Sequence, residues 1–259
     1  MGWLLCWGLL MGTVTVADAD SAACPGTPCA ASRSTVNEVW AETREGRVLS
    51  DLYLPPIGMA QRGGAILAHG FLRSRKTMRD HALALAAQGI VALVPDLPYR
   101  ANPAGNARAL RELALQLEQG RFGVEVKRVV LVGFSAGALA AVLAAPEVPG
   151  LAGFVALDPF DRPNHPGLAS AQRLSAPTTV LHGPPAACNG YGSAAPWAGV
   201  LPQLDLNVLI PHATHCDFEA PTTLACRLAC FGSDDARRSS IQQSLVAAVT
   251  RYLPQAVDP

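Results

Sequence analysis

The sequence predicts an α/β domain with a mostly parallel central sheet, helices on both faces and an N-terminal antiparallel hairpin. Three observations carry this expectation. Short apolar runs alternate with segments of helical period from residue 64 onward, the pattern of strands buried on both faces by crossover helices. Two β-rich segments precede that alternation and flank Arg44-Glu45-Gly46-Arg47, which reads as a hairpin turn. Residues 129–145 pass from Val129-Val130-Leu131-Val132 through Gly133-Phe134-Ser135-Ala136-Gly137 into an alanine-rich stretch. That is strand, sharp turn and helix, with a serine at the apex.

In chain order, residues 36–40 and 48–54 form the hairpin, ended by Pro55-Pro56. Residues 64–68 are a short buried strand that leads at once into His69-Gly70-Phe71. A helix is expected over 77–88, because Thr77-x-x-Asp80 has the form of a capping box and Gly89 is a natural stop. Residues 90–94 are the next strand, closed by Pro95. Leu110, Leu113, Ala114 and Leu117 recur at helical spacing before Gly120 and give a second helix. Residues 129–132 feed the serine turn, and 151–157 form a strand ending in Asp158-Pro159. Two more strands lie at 178–181 and 206–210. Between them, residues 183–202 are rich in Pro, Gly and Ala and read as a long loop, with Tyr191 and Trp197 as candidate pocket walls. Ile241, Leu245, Ala248, Val249 and Tyr252 mark the last helix, preceded by Asp234-Asp235 and stopped by Pro254.

A chain of 259 residues is long enough for one large domain with a full core. Charged residues make up 15%, the formal net charge is zero and no basic patch appears, which argues against nucleic acid as a partner. The composition equally excludes a disordered chain. The apolar run from Trp3 to Val16, followed by Ala17-Asp18-Ala19, has the form of a secretory signal and is short for a membrane span, although no Lys or Arg precedes it. The expected organisation is a signal peptide over 1–19, an irregular segment over 20–34, one catalytic-sized domain over 35–254 and a tail over 255–259. The mature chain is expected to be secreted or periplasmic, monomeric and without a stable membrane span.

Seven cysteines are present, and removing Cys6 with the signal leaves Cys24, Cys29, Cys188, Cys216, Cys226 and Cys230. An even number in an exported chain favours disulfides. Cys24 and Cys29 bracket Pro-Gly-Thr-Pro and could close a local loop. The other four, all in the C-terminal third, are expected to pair among themselves, with the partners left open. A competing reading takes His212, His215, Cys216, Cys226 and Cys230 as a zinc set, but no C-x-x-C pair supports it. No metal and no organic cofactor is expected.

The pentapeptide alone also fits a serine that merely caps a helix; the strand before it and the helix after it favour a nucleophile. Glycines two residues either side remove side chains that would clash in so tight a turn. A serine hydroxyl is a poor nucleophile at neutral pH and needs a base, which in turn needs a group to orient it. Of six histidines, His81 falls in a helix, His165 in a Pro-rich loop, and His182 ends a strand. His212 and His215 follow the last core strand, where the base belongs, and His215 is preferred. Asp158, directly after a strand, is the preferred acid, with Asp161 as the alternative. The loop after residues 178–181 offers Asn189 but no Asp or Glu before Asp205, which pushes the acid back to Asp158. The oxyanion of acyl transfer needs aimed backbone donors. Ala136 N–H at the helix start and Phe71 N–H in the turn after the 64–68 strand are the candidates.

From Gly64 to Phe218 the chain resembles the serine hydrolases of the α/β-hydrolase fold. More narrowly, it resembles the branch that holds chlorophyllases, platelet-activating-factor acetylhydrolases and dienelactone-hydrolase-like or cutinase-like esterases. Ala68-His69-Gly70-Phe71-Leu72 is similar to the chlorophyllase oxyanion turn, and residues 87–96 also fit that branch. Leu157-Asp158-Pro159 resembles its acid motif. The resemblance implies Ser135 as nucleophile, Asp158 as orienting acid, His215 as base, and Phe71 and Ala136 as oxyanion donors. Phe134 stands where a histidine is frequent, and Ala138 where a further glycine is common. No long apolar insertion suggests a lid. The function this implies is hydrolysis of a small-molecule or lipid-like carboxylic ester through an acyl-enzyme. Acyl transfer or amide hydrolysis on the same triad, and a non-catalytic binding protein on a hydrolase scaffold, are the competing readings.

Overall fold

The computed structural model describes residues 34–254. The segments expected to be a signal peptide, an irregular N-terminus and a C-terminal tail, with Cys24 and Cys29, lie outside the described residues. No helix among the described residues is long and apolar enough to cross a membrane.

Eight strands form one sheet: β1 (Thr35–Thr43), β2 (Gly46–Leu54), β3 (Gly63–Ala68), β4 (Ile90–Pro95), β5 (Val129–Phe134), β6 (Gly153–Leu157), β7 (Thr178–His182) and β8 (Leu204–Leu209). Their spatial order is β1-β2-β4-β3-β5-β6-β7-β8. The hairpin β1–β2 joins the sheet by antiparallel pairing of β2 with β4, and the six strands from β4 to β8 run parallel. Arg44 and Glu45 form the hairpin loop, and Gly46 takes the positive φ of +105° that closes it.

The parallel strands are apolar on both sides because helices cover both. Along β5, Val129 and Leu131 point to one face and Val130, Val132 and Phe134 to the other, the two-residue alternation of an extended chain. On the first face lie α2 (Pro103–Glu118), α3 (Ala136–Ala144) and α4 (Pro166–Arg173); on the second lie α1 (Arg79–Ala86) and α6 (Asp235–Tyr252). A short helix α5 (Leu224–Ala229) precedes α6.

Several expectations are adjusted. Thr77 and Asp80 form no capping box: Thr77 Oγ1 donates to the Ser74 carbonyl in a 3₁₀ turn over Arg75–Met78, and α1 begins only at Arg79. Gly89 does stop that segment at φ +80°, where a Cβ would lie 2.6 Å from the Ala60 carbonyl. The helices α4 and α5 were not expected. The first has Pro166 at its start and Leu168 and Ala171 turned inward, and the second has the Thr223 side chain accepting from Cys226 N–H. The 183–202 loop contains two 3₁₀ turns, Ala187–Asn189 and Ala195–Gly199. Trp197 is buried in the core beside Ala171 and Leu201, and Tyr191 is 76% exposed, so neither walls the cavity described below.

One buried polar side chain ties the second face together. His81 on α1 is fully buried, and its Nε2–H donates to the Phe218 carbonyl at 3.2 Å. Burial pushes its pKa down from 6.5 to about 4, so it folds neutral. Between those values the unfolded chain binds a proton that the folded chain does not, and stability falls as pH falls. The loss is absent above pH 6.5 and amounts to about 2 kcal/mol by pH 5. We expect the urea midpoint to drop over this range in the wild type and to drop visibly less in His81→Leu; equal slopes in the two proteins would contradict the assignment.

Candidate active site

The sheet register aligns the chemistry before any side chain is considered. Ala68 pairs with Gly133, Phe134 with Leu157, and Leu157 with Leu181. The residues just past the ends of β3, β5, β6 and β7 therefore fall along one edge: His69-Gly70, Ser135, Asp158 and Gly183. Carboxyl ends of parallel strands are the usual binding crevice of such sheets. Two backbone bonds extend the ladder one step beyond the strands, Ser135 N–H to Leu157 O at 3.0 Å and Asp158 N–H to Leu181 O at 2.7 Å.

Ser135 sits at φ 54°, ψ −121°, a region that side-chain-bearing residues avoid. The flanking glycines make it possible. A Cβ on Gly133 would lie 2.4 Å from Ala138 Cα, and one on Gly137 would lie 2.4 Å from the Ala68 and His69 carbonyl oxygens. The first allows α3 to fold back on β5, and the second allows α3 to seat against the end of β3. Ala138 is thus in contact at a position where another glycine is common in the resembling enzymes, and its backbone fits.

His215 Nε2 is 2.9 Å from Ser135 Oγ, and His215 Nδ1 is 2.6 Å from Asp158 Oδ2. All three residues are buried or nearly so. The geometry fixes the tautomer, since an ionised carboxylate only accepts: Nδ1–H donates to Asp158, leaving Nε2 to accept from the serine hydroxyl. The Phe134 ring packs on the imidazole, with centroids 4.7 Å apart, so the phenylalanine that departs from the resembling pattern forms one wall against His215.

Asp158 is 1% exposed and sits at φ 38°. Its Oδ1 accepts from Gly183 N–H at 3.0 Å and from Asn189 Nδ2 at 3.2 Å. Asn189, which in the sequence stands where the loop offers no Asp or Glu, clamps the Asp158 carboxylate. It also donates to Pro184 O and accepts from Ala186 and Gly192 N–H, so it organises the loop that carries it. Asp161, the alternative acid, lies apart from His215. It accepts from Trp197 Nε1 at 2.7 Å, Arg162 N–H and Gly167 N–H. His212 is exposed at φ 61° and does not approach Ser135.

The loop carrying His215 is braced from several sides. Cys216 is bonded to Cys226 on α5, and Cys230, just beyond α5, is bonded to Cys188 beside Asn189. The four C-terminal cysteines do pair among themselves. One short helix thereby tethers both the neighbour of His215 and the neighbour of the Asp158 clamp. The sulfurs of Cys216, Cys226 and Cys230 lie close enough together to suggest a metal cluster, but each is spent in a disulfide and offers no thiolate. Asp217 is fully buried and accepts from Thr214 N–H, Asp234 N–H and Arg237 Nε. Burial would raise its pKa, but those N–H groups and the guanidinium outweigh burial and hold it below the ordinary value. Glu219, also fully buried, pairs with Arg73 from the turn after β3.

Phe71 and Ala136 lie with Ser135 on a cavity of about 420 Å³ that Leu139, Phe160 and Pro163 also line. Neither Phe71 N–H nor Ala136 N–H donates to a protein acceptor among the described residues. Gly70 lies against the Ser135 turn, because a Cβ there would be 3.3 Å from Ser135 Cβ and 2.9 Å from the Phe134 ring.

Solved structures share this arrangement of strands and helices. A dienelactone hydrolase from Anabaena variabilis ATCC 29413 is similar with TM-score 0.65 at 22% identity, covering 86% of this chain and 100% of its own. The fold is the α/β-hydrolase fold. Est1E from Butyrivibrio proteoclasticus is similar with TM-score 0.64 at 14% identity, covering 83% of this chain and 98% of its own. A Xanthomonas campestris protein described as an α/β serine hydrolase without a lid gives TM-score 0.60 at 18% identity, covering 91% of this chain and 100% of its own. No protein-family model matches the chain, and no curated protein matches it in sequence.

The turn makes its own test. Gly137→Ala places a methyl group against two backbone carbonyls that cannot retreat without parting β3 from α3. We expect a loss of roughly 3 kcal/mol or more of stability, seen as a large fall in melting temperature. A melting temperature within two or three degrees of the wild type would show that the close approach is not a constraint.

Proposed function

We propose that this protein is a serine hydrolase that cleaves carboxylic esters through an acyl-enzyme on Ser135. The observation that carries the reading is the hydrogen-bonded series Asp158–His215–Ser135, at 2.6 Å and 2.9 Å, with the serine on a strained strand-to-helix turn. His215 accepts the serine proton as Oγ attacks the ester carbonyl, and the imidazolium that forms is stabilised by the Asp158 carboxylate. Phe71 N–H and Ala136 N–H receive the negative charge that develops on the carbonyl oxygen. Collapse of the tetrahedral intermediate expels the alcohol, which takes its proton from His215. Water then repeats the sequence on the acyl-enzyme with the same base. No metal or organic cofactor enters these steps.

The substrate is a small-molecule or lipid-like ester, with the apolar side of the cavity at Leu139, Phe160 and Pro163 receiving one of its two arms. The two disulfides favour an oxidising compartment, secreted or periplasmic. Ser135, His215 and Asp158 all come from one chain, so the proposed reaction needs no residue from a second copy.

The test combines a fluorophosphonate probe with an ester panel of varied acyl length. Wild type is expected to label and to turn over short or medium esters. Ser135→Ala should abolish labelling and lower kcat by about 10⁶-fold, and Asp158→Asn should lower it by about 10⁴-fold through the wrong imidazole tautomer. Asp161→Ala should label normally if it folds. A folded wild type that neither labels nor hydrolyses any ester would instead mark a binding protein on a hydrolase scaffold. An acyl-enzyme that prefers an added alcohol or amine over water would mark a transferase, and faster turnover of the matched amide than of the ester would mark an amidase.

A further inference from the structure

Besides His81 in the core, the mechanism leaves His69 unused, and this second buried histidine stands at the turn proposed to supply an oxyanion donor. His69 is 7% exposed and directly follows β3. Its Nδ1 lies 2.9 Å from the carbonyl oxygen of Gly70, and its Nε2 accepts from Leu97 N–H at 3.0 Å in the loop after β4. The two contacts determine the proton. A carbonyl only accepts, so Nδ1 carries the hydrogen; a backbone N–H only donates, so Nε2 is bare. His69 is therefore a neutral imidazole in one tautomer, spanning two loops.

The carbonyl it grips belongs to the same peptide unit as Phe71 N–H. In a trans peptide these two groups point to opposite edges of one plane. Fixing the Gly70 oxygen on one side fixes the Phe71 hydrogen on the other. Arg73 N–H also donates to the Gly70 oxygen, at 3.2 Å, closing a turn in which Leu72 is held at φ 54°. Gly70 tolerates rotation of this plane more readily than any other residue would, so the turn needs an external hold. From these contacts we infer that His69 is a positioning residue: its Nδ1–H, by holding the Gly70 carbonyl, aims the Phe71 N–H at the oxyanion beside Ser135. Burial pushes the His69 pKa down, which agrees with a ring that works uncharged.

This inference rests on the serine-hydrolase reading, and the experiment separates the two. An asparagine at position 69 can place an amide donor where Nδ1 stands, whereas a glutamine places its amide near Nε2, serving Leu97 but not Gly70. His69→Asn, His69→Gln and His69→Leu are compared with the wild type in an ester assay, in thermal melts and in binding of an alkyl boronic acid, which forms a tetrahedral adduct on the serine. Losing one oxyanion donor costs about 10²–10³ in kcat. Misaiming one is expected to lower kcat by about 10–100-fold in His69→Gln and His69→Leu, with KM within about threefold and boronate affinity falling in step with kcat. His69→Asn should retain kcat within about tenfold. Equal kcat in the Asn and Gln variants, losses confined to KM, or boronate affinity unchanged while kcat falls would each overturn the inference. So would failure of all three variants to fold, which would make His69 purely structural. If the wild type itself hydrolyses no ester and binds no boronate, the functional reading fails first.

Discussion

The backbone of Ser135 is the constraint on which the rest of the site depends. A residue at φ 54°, ψ −121° carries strain of order 1–3 kcal/mol, and it persists because its surroundings leave no alternative. The Ser135 N–H is bonded to the end of β6, α3 starts at the next residue, and Gly133 and Gly137 let that helix lie directly on β5 and β3. Relaxing the serine would mean moving the helix, and the helix is packed into the core on the α2 and α4 side. The strained serine is thus held in place by burial of nearly everything around it, itself included.

The other two members of the series are secured differently. Asp158 comes off a central strand, and its carboxylate is met by a backbone N–H and the Asn189 amide before His215 is counted. His215 comes off a 3₁₀ turn (His215–Phe218) well past β8, where no sheet pairing is available. Its position relies on a disulfide at Cys216, on the buried carboxylates of Asp217 and Glu219 with their arginines, and on His81 holding Phe218. Charges are few in this sequence, and several of the buried ones are spent here. A buried carboxylate deprived of its guanidinium is far more damaging than a surface pair, so these pairs fix the loop more firmly than their number suggests.

Much of this was legible in the sequence because the informative segments obey simple rules. Strands buried on both faces read as short β-branched runs, and β3, β4, β5 and β7 were placed within two residues. Gly133 and Gly137 mark a turn, and Asp158 and His215, expected to meet because each follows a strand, do lie 2.6 Å apart. The segments that escaped are those whose order comes from tertiary bonds. Nothing periodic marks α5, whose six residues are held by cysteines at each end of a turn. Trp197 looked like a loop residue because its partner, Asp161, is 36 residues away. The Thr77–Asp80 pattern misled because a 3₁₀ turn intervened and Thr77 bonded backward to Ser74. Asn189 was seen, but its task was invisible without knowing that its loop folds back over the end of β6.

Ser135 and His215 are 80 residues apart in the chain, and between them run β6, β7, β8 and the long loop closed by Cys188–Cys230. Their 2.9 Å contact cannot exist until that half of the sheet has assembled in register and the loop after it has docked. Under the proposed mechanism, chemistry at the serine would therefore serve as a readout of completed folding, more demanding than a spectroscopic measure of helix or strand content. A chain collapsed to near-native secondary structure but unfinished at its C-terminal third would still present the strand and helix around Ser135, and would lack the contact to His215.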